Sequence, residues 1–495
     1  MSTKVKIKHL LTGVPGLDEL LGGGLPEYSF NLIAGEPGCG KTTLAHQIMF
    51  SLATPERSAL FITILGEPPL KMLRYQQQFE FFNDKAINSS IRFINLSEET
   101  LRGNLDLVLS RIIEEVAKYK PALVFIDSFR SVVRVSTQDH DARIQLEHFV
   151  QELGMLMTSW QATTFLIGEY AEPGDLNPVF TVADGLIWLR QSNHRNSMVR
   201  KVEIVKMRGQ ATIPGLHSFR IGKHGIKIYA PVQMLNTDEP EESDTRLLFG
   251  IPRLDEMLGG GLPRSYSLLI AGPSGSGKSI LAAAFLAEGA RLGETSVVAA
   301  FEQHPAKKTR TPVLASLIAS GALTVINTGS PDLSVDEIIV LLVNEIRRTK
   351  ATRVLIDSLS GFEIALAPTF REEFRESMLR LVATLTDAHV TVVMTCELED
   401  RYSDLRFSPY GTAFLTDAII VQRYIEVESR LRRLIAVVKM RASTHSDELR
   451  EYTIDKSGIQ IGNMLIDQEG LLGGRPTQKR ETRGQRTDVE SGDDT

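Results

Sequence analysis

The chain repeats itself, and the repetition limits its folds more than any other feature. Residues 13–26 read GVPGLDELLGGGLP and residues 250–263 read GIPRLDEMLGGGLP, with eleven of fourteen positions identical. At the same offset, GEPGCGKT (35–42) returns as GPSGSGKS (272–279). Later landmarks recur in the same order: LVFIDS (123–128) with VLIDS (354–358), and VKMRG (205–209) with VKMRA (438–442). A period this long marks a duplicated domain rather than a solenoid, because each copy is large enough to close its own core. A length of 495 residues also exceeds what one hydrophobic core usually serves.

Composition places the boundary. Residues 236–245 (NTDEPEESDT) are acidic, poor in apolar side chains and carry a proline, which reads as a solvated linker between a first domain, 1–235, and a second, 246–465. Residues 466–495 show no apolar periodicity and are expected to be a disordered tail. Within each copy short apolar runs alternate with longer amphipathic stretches. Strands are expected at SFNLIAG, SALFITIL, ALVFID and TTFLIG, then at YSLLIAG, TSVVAAF, RVLID and VTVVMT. Helices are expected over 41–52, 101–119, 142–160, 279–291 and 370–387. The fold class is therefore α/β: two tandem domains, each a mostly parallel sheet flanked by helices, with ligands at the C-terminal strand ends.

Both glycine-rich loops fit G-x-x-x-x-G-K-[ST], follow an apolar strand and open a helix. In such a loop backbone N–H groups converge on phosphate oxygens, the helix N-terminus adds partial positive charge, the lysine reaches the outer phosphates and the hydroxyl ligates Mg2+. That assigns the phosphates of ATP to Gly35, Glu36, Pro37, Gly38, Cys39, Gly40, Lys41, Thr42 and Thr43. In the second copy they fall to Gly272, Pro273, Ser274, Gly275, Ser276, Gly277, Lys278, Ser279 and Ile280. Asp127 and Asp357 each end an apolar run, where a carboxylate reaches the metal through water. Alone, an Asp after a strand is more often a helix cap; its place in a duplicated P-loop domain favours the metal.

Bulk properties exclude several classes. Apolar residues make up 42% and charged residues 23%, the profile of a globular chain, and no stretch is apolar for long enough to cross a bilayer. The N-terminus carries lysines without a following h-region, so a cytoplasmic protein is expected. A net charge of -6 argues against an extended nucleic-acid binder. The two cysteines, Cys39 and Cys396, lie in different copies without C-x-x-C spacing, which suggests neither a disulfide framework nor a zinc site. Trp160 and Trp188 read as core residues.

The G-[VI]-P-x-L-D-E-x-L-G-G-G-L-P preamble, the phosphate loop, the I-D-S strand ending and the late K-M-R segment occur together in the KaiC family, which this chain resembles from Leu10 to Gly462. The resemblance implies two tandem P-loop NTPase domains of RecA type, built into double-decker hexamers with ATP at subunit interfaces, although a dimer or another ring stays open. It also implies that Lys206, Arg208, Lys439 and Arg441 reach from one subunit to the γ-phosphate held by its neighbour. Cations supplied in trans would stabilise charge on the transferred phosphoryl group and tie turnover to assembly. The competing reading is ordinary exposed basic residues on a strand; recurrence in both copies favours function. KaiB-like proteins or sensor histidine kinases are the partners the resemblance implies.

Two departures from that family carry expectations. Domains of this kind end the strand after the phosphate-loop helix in paired glutamates, the first of which orients the attacking water. The second domain keeps it as Glu302, counted also among the metal's surroundings, while the first has Leu65 and Gly66 there and Glu67 one position later. Lys278 with Glu302 is thus the expected turnover site, and Lys41 with Glu67 the slower one that holds the assembly. The adjacent Ser and Thr preceding a T-D pair in KaiC-like second domains are Ala413 and Phe414 here, so Ser/Thr autokinase activity is expected to be weak or relocated to Ser408, Thr412 or Thr416. The leading expectation is a slowly hydrolysing ATP-binding oligomer in signalling or in clock or stress regulation. The alternatives are a RecA- or DnaB-like DNA-dependent motor and a scaffold that uses ATP only as assembly glue.

Overall fold

The computed structural model describes residues 7–64, 69–96, 105–128, 140–170, 178–194, 197–231, 245–301, 312–327, 333–366, 374–398, 414–427, 429–465, 468–469 and 477–478. The chain divides into two compact units, Met1–Pro231 and Val232–Thr495. Linker residues 236–244 and most of the tail lie outside the described residues. Within the tail, Gln468–Glu469 pairs antiparallel with Thr477–Gln478, a pairing that no apolar periodicity announces.

In the first unit a short pair, β1 (His9–Leu10) with β2 (Leu25–Pro26), precedes a nine-stranded sheet. Its strands are β3 (Phe30–Gly35), β4 (Ala59–Thr63), β5 (Ile91–Asn95), β6 (Leu123–Asp127), β7 (Thr163–Glu169), β8 (Gly185–His194), β9 (Ser197–Met207), β10 (His217–Gly222) and β11 (Gly225–Ile228). The spatial order is β11-β10-β9-β8-β3-β7-β6-β4-β5, parallel from β8 to β5 and antiparallel through the β8–β11 extension. The helices are α1 (Leu17–Leu20), α2 (Lys41–Leu52), α3 (Pro69–Gln76), α4 (Leu105–Tyr119), α5 (His140–Ser159) and α6 (Pro178–Val182).

The second unit repeats the plan with β12 (Arg246–Leu247), β13 (Leu262–Pro263), β14 (Ser267–Gly272), β15 (Ser296–Ala300), β16 (Leu323–Asn327), β17 (Arg353–Asp357), β18 (Thr391–Glu397), β19 (Ala418–Val427), β20 (Arg430–Met440), β21 (Arg450–Asp455) and β22 (Gly458–Met464). Its order, β16-β15-β17-β18-β14-β19-β20-β21-β22, is that of the first sheet strand for strand. Helices α7 (Pro252–Met257), α8 (Lys278–Arg291), α9 (Pro312–Ala319), α10 (Val335–Thr349), α11 (Leu359–Ala365) and α12 (Phe374–Asp387) flank it. These are two tandem RecA-like P-loop domains.

Alternation along each central strand explains why both faces are covered. Phe61 joins the cluster under α2, while its neighbours Leu60 and Ile62 join the cluster under α4 and α5. Phe61, Phe125 and Phe165 stack across neighbouring strands, 6.1 Å and 4.6 Å apart. Trp188 is buried as expected, but Trp160 is 36% exposed, because it follows the last turn of α5 instead of lying on its inner face. The shared preamble is structural: Asp18 accepts from Thr12 N and Asp255 from Phe249 N, each at 2.8 Å, which pins the loop that leads into the sheet. Among the described residues no helix is long and apolar enough to cross a membrane.

Candidate functional site

In both units the central strand runs straight into a loop that turns into a helix, β3 into α2 and β14 into α8. The turn depends on the glycine before the lysine. Gly40 has φ 108° and Gly277 φ 98°, and a Cβ would come within 2.7 Å of Ile221 Cδ1 or 2.6 Å of Ile454 Cδ1. Any other residue would be strained at this φ, and the isoleucine tip would have to shift to admit its Cβ. The crests Glu36, Pro37 and Gly38, like Ser274 and Gly275, are exposed, so their backbone can face a ligand. Thr43 is half-buried and Ile280 is exposed on the first turn of its helix. Buried Ser276 is tied to the sheet extension, with its hydroxyl donating to Gln422 at 3.2 Å and its carbonyl accepting from the Tyr452 hydroxyl.

The lysines fold back into the loops they follow. Lys41 Nζ donates to Glu36 O at 2.7 Å, and Lys278 Nζ donates to Gly272 O and Pro273 O, each at 2.8 Å. Cys39 is fully buried beside Lys41, and burial pushes its thiol up despite the nearby ammonium. It is therefore a small packed residue and not a poised thiolate.

The hydroxyl after each lysine meets the carboxylate at the tip of β6 or β17, which lies one strand away from the strand that leads into the loop. Thr42 Oγ1 donates to Asp127 Oδ2 at 2.8 Å, and Ser279 Oγ lies 3.2 and 3.3 Å from the two oxygens of Asp357. Both Asp–Ser peptide bonds, Asp127–Ser128 and Asp357–Ser358, are cis. One hydroxyl and one carboxylate make a hard oxygen set too sparse to cage an ion alone. Mg2+ suits such a set, since it keeps several waters and takes further oxygens from phosphates. Among the described residues no cluster of three or more His, Cys, Asp or Glu offers a competing metal cage.

The K-M-R residues close on their own domains. Lys206 Nζ donates to Phe180 O, Thr181 O and Ala183 O at 3.3, 3.3 and 2.6 Å, so it caps the end of α6. Arg208 reaches Asp184 at 3.2 Å and Thr181 O at 3.1 Å. The second copy matches: Lys439 donates to Thr416 O, and Arg441 reaches Asp417 at 3.4 Å and Phe414 O at 2.7 Å. Partial burial, with the adjacent arginine, holds both lysines below the usual ammonium range, and the aspartate opposes the shift.

Motif reading alone did not single out Asp184 and Asp417 as site residues. Each also accepts from the first residue of the phosphate-loop strand, Phe30 N or Ser267 N at 3.0 Å, and so couples that strand to the basic segment. The signal was present in VADG and LTDA, where an aspartate recurs just before equivalent strands.

Glu302, Leu65, Gly66, Glu67, Ser408, Thr412 and Ala413 lie outside the described residues. Thr416 is only 1% exposed, in a segment whose carbonyl holds Lys439. Phosphate could not reach its hydroxyl without that segment opening.

Comparison with known proteins agrees with this architecture. The family described as "ATPase: KaiC" matches residues 10–233 and again 248–465, one match per phosphate loop. The chain is 27% identical over 490 residues to the circadian clock oscillator protein KaiC of Rippkaea orientalis, covering 96% of this chain and 93% of that one. It is 28% identical over 484 residues to the circadian clock protein KaiC3 of Synechocystis sp., covering 95% of each. The KaiC of Prochlorococcus marinus (strain MIT 9313) is 26% identical over 488 residues. Two matched domains, each with its lysine and its hydroxyl–carboxylate pair in register, leave one assignment: the chain belongs to the KaiC family and is a P-loop ATPase.

Proposed function

We propose that this ATPase works as a homo-oligomer, a hexameric ring by its kinship, whose slow turnover changes the surface it shows to a regulatory partner of KaiB or histidine-kinase type. The observation that supports this most directly is the twofold occurrence of one site. Thr42 with Asp127 and Ser279 with Asp357 place the same pair beside the same lysine in both domains. Bound Mg2+ would neutralise charge between the outer phosphates. Thr42 or Ser279 would hold it directly and Asp127 or Asp357 through water, while Lys41 or Lys278 would leave its loop carbonyls for the phosphates.

The division of labour rests on sequence. Glu302 would orient the attacking water in the second domain, and Leu65 with Gly66 would leave the first domain slower, with Glu67 as a weak substitute. The first site would then serve assembly. Lys206, Arg208, Lys439 and Arg441 would act across the subunit interface; Arg208 and Arg441 are exposed, and the lysines would have to leave the carbonyls they hold. Autophosphorylation would be weak, since Ala413 and Phe414 cannot accept phosphate.

Hydrolysis and oligomer size measured together for wild type, Lys41→Ala and Lys278→Ala test this reading. The expected result is loss of the ring in Lys41→Ala and an intact ring without hydrolysis in Lys278→Ala. Two variants that stay assembled and active would sink it.

A further inference from the structure

The segment that carries Lys439 and Arg441 ends in a strained turn. Ala442, next after the arginine, has φ 47°, a left-handed conformation that a Cβ disfavours, whereas the first domain places Gly209 there at φ 85°. Two side chains from earlier in the second domain grip the turn on either side of that alanine. The Tyr266 hydroxyl donates to Arg441 O at 3.0 Å, and Arg246 Nη2 donates to Ser443 Oγ at 2.8 Å. Arg246 is anchored in turn: its Nη1 donates to Leu258 O at 3.1 Å and to Gly261 O at 3.0 Å, the carbonyls at the two ends of the triple-glycine turn.

The first domain holds the equivalent carbonyls from the opposite side. Leu21 O and Gly24 O accept from Nε2 of Gln210, which follows Lys206 by four residues as Ser443 follows Lys439. The place of Arg246, opposite Pro263, is taken by His9, opposite Pro26. Tyr266 has Ser29 as its counterpart, and that hydroxyl donates to Pro26 O at 2.6 Å. One feature is common to both domains. A Cβ on Gly22 would lie 2.2 Å from Ala211 O, and one on Gly259 2.7 Å from Thr444 O, so the first glycine of each turn is a seat for the backbone that follows the basic residues. A relaxed glycine turn held by its own glutamine therefore corresponds to a strained alanine turn held by Arg246 and Tyr266.

Strain of this kind persists only where the surroundings over-determine the backbone, and it collects at functional positions. Here the surroundings fix the carbonyl of Arg441 and the side chain two residues on, and with them the direction in which the Arg441 side chain leaves the chain. We propose that Arg246, supported by Tyr266, is a positioning residue for ATP hydrolysis at the second site: it holds the turn after Arg441 so that this guanidinium is presented to the nucleotide. The role rests on Arg441 acting on a bound nucleotide, as argued above. Arg246 acts only through the turn, since its own donors are engaged by Leu258, Gly261 and Ser443.

Steady-state hydrolysis by the full chain tests this, with the second site's share taken as the part that Lys278→Ala abolishes. Arg246→Ala should lower kcat by about tenfold with KM nearly unchanged, because misplacing a catalytic group costs the transition state more than the bound substrate. In an Arg441→Ala background the same substitution should cost nothing further, since no arginine is left to aim. Adding Ser443→Gln to Arg246→Ala supplies the first domain's anchor and should recover most of the lost kcat. Tyr266→Phe removes a single hydroxyl and should show the same pattern with a loss of about threefold, which keeps the test open if Arg246→Ala does not fold. An additional loss in the Arg441→Ala background as large as in wild type would overturn the proposal, as would an unchanged kcat in both Arg246→Ala and Tyr266→Phe while Arg441→Ala lowers it. An unchanged kcat in Arg441→Ala itself would instead overturn the reading of the basic segment, and the positioning role with it.

Discussion

Thr395 donates its hydroxyl hydrogen to Oδ1 of Asp357, while the residue at the same register in the first sheet, beside Asp127, is Ile167. The carboxylate of the second site is thus oriented by a neighbour that the first site lacks. Removing a hydrogen bond to a charged group costs about 1.5–3 kcal/mol. Thr395→Val should therefore raise the Mg2+ concentration needed for half-maximal nucleotide binding at the second site by ~10-fold. Binding in excess EDTA should be unchanged, and an equal loss there would make Thr395 merely structural.

His46 makes the first domain acid-sensitive. The ring is fully buried, near-stacked on Phe61 at 4.6 Å, and burial pushes it down to about 3, with Gln76 acting weakly the other way. An unfolded imidazole titrates near 6.5, so between these values the unfolded chain binds the extra proton. Stability should fall as pH drops below about 6.5, by up to about 1.4 kcal/mol per unit. Both tryptophans, Trp160 and Trp188, lie in the first domain, so their fluorescence reports it alone. The Tm from this signal should drop between pH 7 and 5, and His46→Phe should flatten the drop; an unchanged slope would acquit His46.

Arg441 and Lys278 are expected to work on the same nucleotide from different subunits. Neither Arg441→Ala nor Lys278→Ala should hydrolyse ATP at the second site alone. Mixing and reassembling the two should restore a fraction of the activity, because some interfaces then pair an intact lysine with an intact arginine. Failure to recover activity in mixed assemblies would place Arg441 in its own subunit, as its contact with Asp417 already allows.

Cys39 should resist thiol reagents. It is buried with a raised pKa, and Cys396 is also buried, so iodoacetamide at pH 7.5 should label the native chain only as fast as it opens. Rapid labelling of Cys39 with loss of nucleotide binding would instead mark it as a redox-sensitive position.

The repeat, the phosphate loops and the parallel strands were legible because each is dictated locally. A glycine at positive φ before Lys41 or Lys278, and apolar runs such as ALVFID, owe their conformation to neighbours a few residues away. Family kinship was legible for the same reason, since it rests on contiguous motifs.

Long-range pairing was not. The bond from Thr395 to Asp357, the clasp of Asp184 and Asp417 on the basic segments, and the exposure of Trp160 depend on which strands become neighbours. Local propensity does not encode that neighbourhood. The contrast beside the two phosphate-loop helices is the clearest case. By itself the sequence determined that Phe50 and Ala287 stand at equivalent places of the two phosphate-loop helices; only the tertiary structure decided that Phe81 and Phe82 pack against the first of them, because filling a volume depends on every wall that bounds it.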